Sequence, residues 1–131
     1  MHPGRRLYNG LCYTQGIYTL LTALWALADI HSFMQITGPK TDIWLVKTVA
    51  TLLLPIGTCL LFGVFIREDR WMVLLVGAMT ALGLVIIDLY YTLNKTISNI
   101  YLLDGCLEFL FFVGWIVVFH CIKNTGQSKI S

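Results

Sequence analysis

Four ionisable side chains lie inside long apolar stretches of this 131-residue chain: Lys47, Asp88, Asp104 and Glu108. A charge at the centre of a membrane-spanning helix costs about 2.5 to 3.5 kcal/mol, so it persists where a partner, water or a ligand offsets the cost. At about 1.5 Å per residue, Lys47 and Asp88 fall roughly one turn below the outer boundary of the apolar layer, and Asp104 slightly deeper. Glu108 falls about 13 Å in, near the midplane. Asp104 and Glu108 stand at i and i+4 and share a helix face, which Tyr101 and Phe111 extend. One cation against three anions is an imbalance that a low-dielectric interior relieves with a proton or an added cation. The set predicts a polar pocket in the outer half of the layer, open to a small cationic or lipid-like ligand. A purely structural use of the same residues pairs Lys47 with Asp88 or Asp104 to fix helix order and leaves Glu108 as a neutral, hydrogen-bonded core acid.

Gln15, with Tyr13 and Tyr18, gives the first helix a polar element that the sequence places in its inner half. Gln15 is suited to an interhelical hydrogen bond and is also counted among the ligand-binding candidates, as is Tyr101. Asp29 and His31 sit at the outer boundary and His120 near the inner one, where water satisfies them. Trp44, Trp71 and Tyr101 have the character of interfacial anchors. Cys12, Cys59, Cys106 and Cys121 form no C-x-x-C pair and no metal-ligand spacing with histidine, and they read as small buried hydrophobes. No catalytic residue, metal site or cofactor is expected.

The elements that would position these groups are apolar helices. The chain is 57% hydrophobic and 12% charged, with a mean hydropathy of +0.76. The charged share is about half that of a soluble domain, which excludes a disordered chain, a nucleic-acid module and an ordinary water-soluble enzyme. A spanning helix needs about 20 apolar residues, and four segments supply them, over 7–30, 43–66, 71–92 and 99–122. The expected fold is a single all-α transmembrane domain over 1–131, a four-helix bundle running antiparallel, up-down-up-down. Arg5, Arg6, Arg67, Arg70, Lys123 and Lys129 lie on one side and Lys40 and Lys95 on the other, so both termini are expected in the cytoplasm. The first apolar stretch is too long for a signal-peptide core and is expected to stay in the mature protein.

Gly38-Pro39 marks a turn in the loop over 31–42, and Asp42, Asp69 and Ser98 are candidate caps for the second, third and fourth spanning helices. Pro55 is expected to bend the second of these. Gly77 and Ala81 offer a close approach on the third. A faint internal repeat sets Trp44 and Lys47 against Tyr101 and Asp104, each an aromatic followed by a charge one turn into a returning helix.

The run from Thr37 to Val49 (TGPKTDIWLVKTV), with Gln15-Gly16-Ile17-Tyr18 before it and Asp88 and Ile97 to Asp104 after it, resembles a group of small, uncharacterised bacterial four-helix integral membrane proteins. The resemblance covers most of the chain and implies a bacterial inner-membrane location, but it carries no activity. The residues themselves support a binding or transport protein first. A membrane enzyme acting on a lipid or isoprenoid, and an accessory subunit of a membrane complex, are the alternatives. The expected partners are membrane lipids, a small-molecule or lipid ligand, and a second copy or a membrane protein, with no nucleic acid.

Overall fold

The computed structural model describes residues 3–68 and 70–127, with side chains as far as Asn124. Asp69 and Lys129, used above as a cap and as a marker of sidedness, lie outside the described residues. Five helices and no strand make up the described chain: α1 Pro3–Ala28, α2 Ile30–Thr37, α3 Ile43–Gly63, α4 Arg70–Leu93 and α5 Ile100–Gln127. Four of them, α1, α3, α4 and α5, are long and apolar enough to cross a membrane. A helix suits that solvent because it satisfies its own backbone polar groups.

α1 begins at Pro3, whose missing N–H costs nothing in a first turn. Its buried residues Tyr8, Cys12, Gln15, Thr19, Ala23 and Ala26 recur every three or four positions and form one face. The helix was expected over 7–30. It starts earlier and stops at Ala28, because Asp29 leaves the helical region (φ −141°, ψ 80°). This moves the helix centre toward Gln15, with Tyr18 on the side of α2 and Tyr13 on the other side.

The segment expected as a loop contains α2. The Asp29 side chain accepts the Ser32 N–H at 3.1 Å and caps the helix. Phe33 and Thr37, one turn apart, bury its inner face. The Trp25 indole N–H donates to the Ser32 hydroxyl at 2.8 Å, and its ring meets Phe33 edge-on at 5.3 Å. α2 ends at Gly38, where φ is +91°, a conformation that the absence of Cβ permits. A Cβ there would stand 3.4 Å from Ser98, so the end of α2 is seated against the α4–α5 connection.

Asp42 occupies the cap position of α3 but makes no side-chain cap bond. Its carbonyl oxygen receives the Leu45 and Val46 N–H groups at 3.0 and 3.3 Å. α3 continues as one helix through Pro55. Ser98 acts at the start of α5, its carbonyl accepting the Tyr101 N–H at 3.1 Å.

The closest helix pairs are α1 with α3 and α4 with α5. Small residues make the approaches possible, as interfaces in lipid require. A Cβ on Gly57 would lie 2.7 Å from Leu20 and 3.1 Å from the Gly16 carbonyl. The Tyr8 hydroxyl, near the start of α1, donates to the Gly63 carbonyl at the end of α3 (3.0 Å). Between α4 and α5, Gly77 faces the Trp115 indole so closely that a Cβ would stand 2.5 Å from it. The proposed repeat does not extend to environment: Trp44 and Lys47 are exposed on α3, whereas Tyr101 and Asp104 are half-buried on α5.

Candidate functional site

Asp88 on α4 and Glu108 on α5 are buried, at 4% and 1% exposure, and Asp104 is half-buried between them and α1. Gly105 lets α5 approach Asp88, since a Cβ there would lie 3.3 Å from the Asp88 Cβ. Asp104 precedes Gly105 in the chain, so the same close approach brings Asp104 beside Asp88 at the α4–α5 seam. From α1, the Tyr18 hydroxyl donates to Asp104 Oδ1. Asp88 Oδ2 and Glu108 Oε2 have no hydrogen-bond partner. The three acids expected from sequence are therefore brought together, with a tyrosine added.

Lys47 is not brought to them. It lies exposed on α3, a helix that packs chiefly on α1 rather than on α5. The expected lysine–carboxylate pairing is replaced by contact between two carboxyls and a phenol. Gln15 is also elsewhere. Fully buried, it donates from Nε2 to the Gly77 carbonyl at 3.0 Å and accepts the Trp115 indole N–H at 2.6 Å. These bonds tie α1, α4 and α5 together, which is the interhelical use of an amide side chain.

A cavity of about 510 Å³ opens between α1, α2 and α5, within the range typical of ligand pockets. Tyr18, Thr22 and Trp25 of α1, Phe33, Ile36 and Thr37 of α2, and Ile100, Tyr101, Leu103, Asp104, Cys106, Leu107 and Leu110 of α5 line it. Its walls are mostly apolar, and Asp104 is the one acid among them, with Asp88 and Glu108 behind. No group of three or more His, Cys, Asp or Glu among the described residues is arranged to hold a metal ion.

At the α2 end, the Lys40 ammonium lies 4.9 Å from the centre of the Tyr101 ring and donates to the Thr37 and Gly38 carbonyls at 3.0 and 3.3 Å. Carbonyls at a helix C-terminus favour a cation, while burial pulls the Lys40 ammonium below the usual lysine value. A second, wholly apolar cleft of about 380 Å³ runs between α4 and α5 along Val85, Leu89, Gly105, Cys106, Phe109 and Leu110. Cys106 and Leu110 border both spaces.

The cysteine expectation holds only for Cys12. Cys59 and Cys106 are exposed and Cys121 is half-buried. Tyr18 is part of the polar element read from the sequence but not of its ligand-binding set, and Thr22 is absent from both, although Gln15, Tyr18 and Thr22 follow a spacing of three and four that marks a polar stripe. The contributions of α2 and Lys40 have no such signal, because a helix of eight residues seated by tertiary contacts is not distinguishable from a loop in the sequence.

No protein-family model, no curated protein and no solved structure matches this chain, so the reading of its function rests on this geometry.

Proposed function

We propose that the chain is an integral membrane protein that binds, and transfers across the bilayer, a small lipophilic cation or lipid-like amine. The cavity between α1, α2 and α5 is its site. One observation carries the reading: the apolar cavity presents a carboxyl, Asp104, oriented by the Tyr18 hydroxyl and backed by Asp88, with Lys47 turned away. An apolar wall with a few placed polar groups is the usual make-up of a small-molecule site, and intramembrane acids mark substrate or ion pathways.

The bundle runs up-down-up-down with both termini on the cytoplasmic face of a bacterial inner membrane, which places the cavity in the outer half. The distribution of basic residues supports this orientation. The bond from Tyr8, near the start of α1, to Gly63, at the end of α3, supports the antiparallel run of these two helices.

The test is mass spectrometry of the protein purified in mild detergent. The expected result is an amine-bearing amphiphile that copurifies with the wild type and is lost from Asp104→Asn. A copurifying molecule retained equally by Asp104→Asn would refute the assignment.

A further inference from the structure

Among the described residues, no lysine or arginine stands beside Asp88 and Asp104. Two carboxylates cannot both stay charged in contact inside an apolar bundle. The groups around them are Tyr18 from α1, Asp88 from α4, and Tyr101, Asp104 and Glu108 from α5. Lys47 of α3 is exposed, and Lys40 is engaged with Tyr101 and with the carbonyls at the end of α2. Asp88 is 4% exposed, and its Oδ2 has no partner. Asp104 lines the cavity, whereas Asp88 does not.

We infer that the Asp88–Asp104 pair holds one exchangeable proton and that a cation bound in the cavity displaces it, so that the protein exchanges protons for lipophilic cations. The empty site carries a proton on the pair. The cation arrives beside Asp104 as that proton leaves through the cavity, and the net charge of the site does not change. No covalent bond other than O–H is broken, and no co-reactant is required. Asp104 meets the cation, and Asp88 is the buried store behind it. The exchange assigns the proton to the pair and not to Glu108, one turn along α5. The inference rests on the cation-binding reading and adds the stoichiometry.

The experiment uses wild-type protein in lipid nanodiscs and tetraphenylphosphonium, a permanent cation that brings no proton of its own. Binding and proton release are read together by calorimetry in two buffers of different ionisation enthalpy. About one proton should be released per cation bound, and affinity should fall about tenfold per pH unit on the acid side, as linkage requires for one displaced proton. Asp88→Asn should keep binding while losing the release and flattening the pH slope. Lys47→Gln, on the exposed side of α3, should leave both unchanged, and Glu108→Gln should keep the proton release.

Binding without proton release by the wild type overturns the exchange and leaves the binding site standing. Failure of the wild type to bind the cation overturns the site and the exchange with it. Loss of release in Glu108→Gln but not in Asp88→Asn overturns the assignment to the pair. The wild-type proton count decides the matter even if a variant does not fold.

Discussion

At the scale of single residues, the bundle contains two polar arrangements of opposite character. Around Gln15, both ends of the amide and the indole N–H of Trp115 are satisfied. Around Asp88 and Glu108, buried oxygens lack partners. The first arrangement stabilises, and the second is retained at a cost, which is the pattern of a functional site. Gln15→Leu should therefore destabilise the protein by about 1–2 kcal/mol, since interhelical bonds in lipid reach that range at most, and should leave cation binding intact. Thermal denaturation in detergent with parallel binding assays checks both parts. Tyr18→Phe removes the hydroxyl that orients Asp104. It should weaken tetraphenylphosphonium binding by about tenfold, the value of a hydrogen bond to a charged group. Unchanged affinity would mean that Asp104 needs no such support. The acids were legible in the sequence because charge is rare in apolar helices. Lys47 was misassigned because depth along a helix does not fix which way a residue faces.

At the scale of elements, the short helix α2 was hidden from sequence reading. Its single buried turn is too short for periodicity to reveal, and its seat against α1 and α5 is a tertiary matter. Its cap is a clear point of attack. Asp29→Ala should lower the local stability of α2, seen as faster amide exchange across 30–37 with little change in the spanning helices. Hydrogen bonds from Ser32 hold the Asp29 carboxyl below its usual value. A depressed carboxyl stabilises above the unfolded pKa, near 3.9, and the cap is lost as pH falls through the folded value. Once corrected for the intrinsic exchange rate, the protection of α2 should be insensitive to uncapping near neutrality and fall only under strong acid.

Just past the end of α4, Lys95 holds φ +56° and the Thr96 N–H is bonded to the Tyr91 carbonyl at 2.9 Å, a helix stop that glycine usually supplies. Lys95→Gly should raise stability by up to about 1 kcal/mol by removing that strain. A lowered melting temperature would show instead that the lysine side chain contributes more than its backbone costs.

At the scale of the whole molecule, hydropathy alone located the four spanning helices to within a few residues, because the length needed to cross lipid leaves few alternatives. Their lateral arrangement was not legible. It depends on glycine contacts such as Gly16 with Gly57 and Gly77 with Trp115, and small residues advertise closeness without naming the partner. Gly77→Ala should therefore disturb two interfaces at once, because the indole it displaces is bonded to Gln15. A stability loss larger than that of Gln15→Leu is expected in the same denaturation assay. The orientation is tested by reporters fused to each end: a cytoplasm-active reporter should function at both termini, and a reporter inserted in the α2–α3 connection should behave as periplasmic.

Cys106, exposed on the ridge of α5 between the two clefts, gives the protein a built-in chemical handle. With Cys59→Ser removing the other exposed thiol, a library of disulfide-bearing amines could be tethered at Cys106 and ranked by resistance to reduction. Fragments whose amine reaches Asp104 would be retained. The shape of the space beside Asp104 would then be mapped one side chain's reach at a time.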